Sequence, residues 1–198
     1  MEFAISKLAR DGSEALTFRA VAREMNIAVG AFSRYFKSLS ELEDAMAARI
    51  ISMVVPPNAG NEKGLREELL RLCLDWLAVT RTYPALVTFG GPASATALAG
   101  HVGQVVKVMA DAGIDLERAI LTYGMVINLA YAWGVQVSRQ SSRKIQKKSI
   151  QAFTRQAGGL TPQLAKLFEA SDTEKSYRQS IILLLDGLLP AMPSRNKR

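Results

Sequence analysis

The chain is poor in the groups that run most enzymes and that staple most small secreted domains. Its 198 residues hold one cysteine, Cys73, and one histidine, His101. A single cysteine excludes an intrachain disulfide framework and fits a reducing cytoplasm. Cys73 stands in an apolar helical stretch and reads as a small core residue rather than a nucleophile. A single histidine, with no Cys/His/Asp cluster at ligand spacing around it, leaves no protein-only zinc site. Paired carboxylates on a recognisable site are also missing, so the chain is not read as an enzyme and no catalytic residue, cofactor or metal is expected. Strand-like alternation is scarce, which leaves an all-α protein. The N-terminus has no charged segment ahead of an apolar run, so no signal peptide is expected.

What is present belongs to a folded globular chain: 48% hydrophobic residues and 22% charged ones. The net charge of +7 invites a nucleic-acid reading, but its location matters. Over residues 1–50 the basic groups (Lys7, Arg10, Arg19, Arg23, Arg34, Lys37, Arg49) are matched by acidic ones (Glu2, Asp11, Glu14, Glu24, Glu41, Glu43, Asp44). Within residues 17–37, however, Arg19, Arg23, Arg34 and Lys37 face only Glu24. The local pattern is therefore the evidence, not the overall charge. A further basic run, Arg139 to Lys148, reads as a solvated loop, or else as a second nucleic-acid or acidic-membrane patch.

Hydrophobic periodicity lays out the helices. A first helix over residues 1–10 offers Phe3, Ile5, Leu8 and Ala9 for packing and stops at Asp11-Gly12. Thr17 is a good N-cap for a second, whose stripe is Val21, Ala22 and Met25. Asn26 tolerates a left-handed backbone and ends it. Ile27 is expected to pack inward. A third helix over residues 29–36 has Ala31, Phe32, Tyr35 and Phe36 on its inner face and Gly30, Ser33 and Arg34 outside, with Lys37 just beyond. Ser38 with Glu41 forms a capping box opening a fourth helix over residues 39–54, which Pro56-Pro57 stops. Further helices are expected over residues 63–83, 93–112, 116–138 and 173–192, with a short one over 85–91. Residues 119–138 carry no charge over a length that could span a bilayer. The polar Thr122, Asn128, Gln136 and Ser138 and the lack of a second span favour a buried helix instead, and no membrane is expected.

The runs L-T-x-R-x-V-A, N-I-x-V-G-A-F-x-R-Y-F and S-x-x-E-L, covering residues 4–50, resemble the DNA-binding domain of the TetR transcriptional regulators. More weakly, V-V-K-V-M-A-D-A-G-I-D-L-E-R-A, the long apolar helix after it and a terminal L-L-D-G-L resemble the ligand-binding domain of the tetracycline-repressor branch. The resemblance implies an N-terminal three-helix helix-turn-helix domain, residues 1–55 with its connecting helix, and a larger α-helical ligand-binding and dimerisation domain, residues 63–192. It implies a bacterial, cytoplasmic repressor, nucleoid-associated when bound, that holds double-stranded DNA at a palindromic operator as a homodimer and is released by a small-molecule effector. By the same resemblance Thr17 and Arg19 reach phosphate or base edges. Val29, Gly30, Ser33 and Arg34 face bases and nearby backbone, and Tyr35, Lys37 and Ser38 hold phosphates. The chain departs from the family pattern at Ala28, where a Ser or Thr cap is usual, at Ser33, where a Tyr is common, and at Leu39, where a Lys is frequent.

For the effector, Trp76, Tyr83, His101, Met109, Tyr123, Asn128 and Tyr131 are the candidate lining, with Phe89, Met125 and Trp133 beside them. Few polar groups among so many apolar ones favour a hydrophobic or aromatic ligand. His101 is either a donor to that ligand or an ordinary helix-surface histidine. Asn128 is expected to be a buried amide in need of a partner. The helices near 116–138 and 173–192, with Leu184, Leu185, Gly187 and Leu188, suit a four-helix dimer seam. The competing reading is an α-helical small-molecule or acyl-chain binding protein that does not read DNA.

Overall fold

A computed structural model describes residues 1–58, 64–139 and 173–189. Helices are α1 (Glu2–Asp11), α2 (Phe18–Glu24), α3 (Val29–Phe32), α4 (Leu39–Ile51), α5 (Gly64–Thr82), α6 (Pro92–Asp111), α7 (Leu116–Arg139) and α8 (Thr173–Leu188). Short 3-10 turns at Ser13–Ala15 and Pro84–Val87 link α1 to α2 and α5 to α6. There is no strand among the described residues, and none of their helices is long and apolar enough to cross a membrane. The basic run beyond Arg139, the terminal helix past residue 189 and the tail lie outside the described residues.

The N-terminal part is closed by α1, α2, α3 and the first half of α4. Ala4, Ile5, Leu8, Val21, Ala22 and Phe32 are buried in it. Phe32 meets Phe18 edge-on at 5.2 Å and Phe36 at 5.5 Å, giving this small core its aromatic centre. Phe3 is 57% exposed, because the inward stripe of α1 runs through Ala4, Ile5 and Leu8. Ile27, expected inside, is also exposed, since the chain reverses there.

That reversal has a definite construction. Asn26 takes φ 55, the Asn26 N–H bonds Arg23 O at 3.1 Å and the Ile27 N–H bonds Ala22 O at 3.0 Å. This pair of bonds is a Schellman ending, and it satisfies the last carbonyls of α2.

The larger part is built on α5, α6 and α7, with α4 packed along α6 and α8 against α5 and α7. Trp76, Leu72, Cys73, Val105, Met109, Ala119, Ala130, Tyr177, Ile181 and Leu185 are sealed in its core. The core placement of Cys73 pushes its thiol up to about 12, so it is protonated and inert at neutral pH. Helices α5 and α7 cross closely at Gly134, where a Cβ would lie 2.1 Å from Thr80 Oγ1. That hydroxyl is within hydrogen-bonding distance of Trp76 O, Leu77 O and Ala130 O, at 2.9, 3.1 and 3.0 Å. In α8 the buried positions step by four through Tyr177, Ile181 and Leu185, so Leu185 faces its own chain, not a partner. Leu183 and Gly187 are among the outward positions.

Candidate functional site

Two places gather the residues singled out by sequence. The first is the outer face of α2, α3 and the start of α4. Thr17 caps α2 as expected, accepting from the Ala20 N–H at 3.1 Å, and so sets the start of the helix that presents Arg19. Ser38 caps α4 by accepting from the Glu41 N–H at 3.1 Å. The return bond of this box is shifted by one residue: the Glu41 carboxylate accepts from the Lys37 N–H, at 2.6 Å, rather than from Ser38. The shift holds the α3–α4 turn, and with it Lys37, on the surface.

Thr17, Arg19, Val29, Gly30, Ser33, Arg34, Tyr35, Lys37 and Ser38 are all exposed. Tyr35, expected on the inner face of α3, is 78% exposed. The reason is that α3 is shorter than the periodicity predicts. It has no side-chain cap at Ala28, it contains Gly30, and the Ser33 hydroxyl donates back to Gly30 O at 3.1 Å. After Phe32 the backbone tightens, with the Tyr35 N–H on Phe32 O at 3.0 Å, which swings Tyr35 outward. Lys7, Arg10 and Arg49 are engaged by Asp11, Glu24 and Glu2. Arg19, Arg34 and Lys37 enter none of the ion pairs found among the described residues, so their charge is open to an outside anion.

The second place is buried between α5, α6 and α7. Trp76 stacks edge-on with His101 at 5.4 Å and lies 6.1 Å from Tyr131, while His101 lies 5.9 Å from Tyr123. The histidine is 6% exposed, so it is not a helix-surface residue. Burial lowers its pKa below 6.5, opposed in part by hydrogen bonding to the Val54 backbone, and the ring is neutral at pH 7. Burial likewise raises the Tyr123 and Tyr131 phenols. The Trp76 indole faces the Tyr123 hydroxyl closely enough to favour its ionised form a little, yet neither atom makes a hydrogen bond of ordinary geometry. Trp76 Nε1, His101 Nε2 and Tyr123 OH, with Thr122 Oγ1 on the same turn of α7, are buried without partners among the described residues. Each such group costs about 1–3 kcal/mol if nothing satisfies it.

Tyr131 also lines a groove of about 510 Å3, whose other walls include Ala47 and Ile51 of α4, Leu86, Phe89, Gly91, Leu98 and Asn128. Asn128 is therefore not a buried amide: it stands exposed at this groove. Tyr83 is half-buried and Met109 fully buried in the core, and neither lines the groove or joins the ring contacts. Met125 is 46% exposed, and Trp133 pairs instead with Tyr177 at 5.7 Å. A second groove, of about 550 Å3, lies between α5 and α8, but its Arg66 and Arg71 are already paired with Asp186, Glu68 and Asp75.

Between the two places sits a residue that the sequence reading missed. Asp44 of α4 is buried, and its carboxylate accepts from the Ala93 and Ser94 N–H groups at 2.9 and 2.8 Å. These are the free donors of the first turn of α6, since Pro92 has none. Gly91, at the N-cap, has no side chain to accept them, so a carboxylate from another helix does. A Cβ at Gly91 would fall 2.5 Å from Asp44 Cγ. The Ser94 side chain and the two N–H groups hold the Asp44 carboxyl below its usual 3.8 against the effect of burial. The signal was present as Gly91-Pro92 opening a helix without a capping side chain, but nothing local names its partner 47 residues earlier.

No protein-family model matches the chain, and no curated protein does so by sequence. Solved structures do match. ActR of Streptomyces coelicolor, a TetR family protein in complex with (S)-DNPA, superposes with a TM-score of 0.74 at 16% identity, over 97% of this chain and 96% of that one. A possible TetR family regulator from Streptomyces coelicolor A3(2) gives 0.70 at 22% identity, over 94% and 95%. BioQ with its double-stranded DNA operator gives 0.59 at 17%, over 94% and 93%. The helical architecture of the described residues is thus the fold of the TetR-family regulators.

Proposed function

We propose that the chain is a ligand-responsive DNA-binding regulator, acting as a dimeric repressor on a palindromic operator. The observation that carries this reading is the outer face of α2 and α3. Arg19, Arg34 and Lys37 are exposed there and enter none of the ion pairs among the described residues, beside Thr17, Gly30, Ser33 and Tyr35, in a part of the chain whose overall charge is neutral. Residues 1–55 would form the reading unit and 63–192 the effector and dimerisation unit. BioQ has been solved on its operator and ActR with a small molecule, and both share this fold.

Dimerisation through α7 and α8 is supported by their outward apolar positions, Ile120, Leu121, Met125 and Leu183, all about half exposed or more. A two-fold pair would set two α3 helices about 34–36 Å apart, one turn of DNA. The joint between units is α4 on α6, fixed by Asp44 at the start of α6 and flanked by the groove that Ala47 and Ile51 share with Tyr131. An occupant there bears on α4 directly. A coupling of about 1–3 kcal/mol would change operator affinity about 5- to 150-fold. The test is selection of bound sequences from random DNA at two salt concentrations. A palindrome with a steep salt slope is expected. No enrichment at either salt would sink the reading in favour of a helical binding protein that ignores DNA.

A further inference from the structure

The chemistry of the buried ring cluster narrows what the effector is, an inference that rests on the ligand site just proposed. Trp76, His101 and Tyr123 are at least nine-tenths buried, and each leaves a polar atom without a partner among the described residues. The indole N–H is a donor only, so nothing but an acceptor can satisfy it. The Tyr123 hydroxyl can give and take a bond, whereas the neutral His101 ring, whose one N–H is engaged by the Val54 backbone, offers only an acceptor at Nε2.

Among the described residues, no charged group acts on this setting. The influences on His101, Tyr123 and Tyr131 are burial, one another, Trp76 and the Val54 backbone, with no carboxylate, lysine or arginine among them. A buried ion without a counter-charge is strongly disfavoured. The rings are set at 88° and 49–51° to one another, and Tyr131 belongs both to the cluster and to the wall of the adjoining groove, so the groove leads to the cluster at that ring.

We propose that the site takes an uncharged aromatic molecule bearing at least one hydroxyl group. That hydroxyl accepts from the Trp76 indole and donates to His101 Nε2 beside the Tyr123 hydroxyl, while the ring packs on Tyr131.

The experiment is calorimetric titration of the full chain with three probes on one ring system: 1-naphthol, 1-naphthoate and protonated 1-naphthylmethylamine. Naphthol is expected to bind at least ~10-fold more tightly than either ion. Tyr123→Phe and Trp76→Phe, which keep the rings, are each expected to weaken naphthol about 5- to 10-fold. Tyr123→Phe alone suffices should Trp76→Phe fail to fold. Equal or better binding of either ion, indifference of naphthol to Tyr123→Phe, or no heat from any probe at about 1 mM, as for a site filled by water only, each overturns the proposal. A chain that selects an operator yet binds no naphthol loses this inference and keeps the DNA reading. One that binds naphthol yet selects no DNA does the reverse.

Discussion

The outer face of α2 and α3 and the ring cluster between α5, α6 and α7 are built on opposite terms. On the outer face every candidate residue is exposed, and Arg19, Arg34 and Lys37 enter none of the ion pairs among the described residues. In the cluster every ring is held by neighbours, and what lacks a partner is a set of single polar atoms. The first arrangement contributes little to folding and is free to meet a phosphate or a base. The second supports the core and keeps a few unsatisfied groups inside it. The lesson is that binding capacity shows as unused charge at a surface and as unused hydrogen-bonding capacity in an interior.

The comparison can be broken most sharply by a pair of truncations. Trp76→Ala removes a fully buried ring and is expected to cost about 3–5 kcal/mol of stability in chemical denaturation. Arg34→Ala is expected to leave stability within about 0.5 kcal/mol. It should nonetheless cost about 1–3 kcal/mol of operator binding and lessen the salt slope by about one. Equal stability losses would erase the distinction between the two regions.

A smaller effect tests the joint that connects them. Asp44→Ala strips two N–H groups of α6 of their acceptor and should cost about 1–2 kcal/mol in thermal or chemical melting. Gly91→Ala should reproduce the phenotype, since its Cβ takes the place of the carboxylate. If operator affinity in either variant still responds fully to an effector, Asp44 is a cap and not part of the coupling. Because its folded pKa is depressed, its contribution is complete at neutral pH. It fades as pH falls below 3.8 and through the lower folded value.

Smaller still is the gain at the weak start of α3. Ala28→Ser supplies the missing N-cap and should stabilise the reading unit by about 1 kcal/mol, seen as slower amide exchange at Phe32 and Ser33.

The least effect belongs to His101. Its folded pKa lies below 6.5, so the unfolded chain binds the proton first, and stability falls as pH drops below 6.5. His101→Gln should flatten that slope between about pH 7.5 and 5.5 in denaturant titrations. An unchanged slope would place the ring in a wetter setting than its burial indicates.

Much of the reading face was legible along the chain because its signals are local. Thr17, Asn26 and Ser38 act within four residues of themselves, and each does what its side chain implies. Errors there came from neighbours that weaken a short helix: Gly30 and the Ser33 back-bond shorten α3 and turn Tyr35 out. In the larger part, periodicity located the helices but not their phase. Asn128 and Met125 face outward and Leu185 inward because packing of α7 and α8 on α5 set the rotation of each helix.

By itself, then, the sequence determined the all-α architecture, the turn between α2 and α3, and the local excess of basic residues over 17–37, since caps, left-handed residues and charge balance act over a few residues. Only the tertiary structure decided that Trp76, His101, Tyr123 and Tyr131 would meet, and that Asp44 would cap a helix from another part of the chain. Those contacts join positions tens of residues apart, and burial, which strips them of water, is what gives their unpaired atoms and depressed or raised pKa values any meaning.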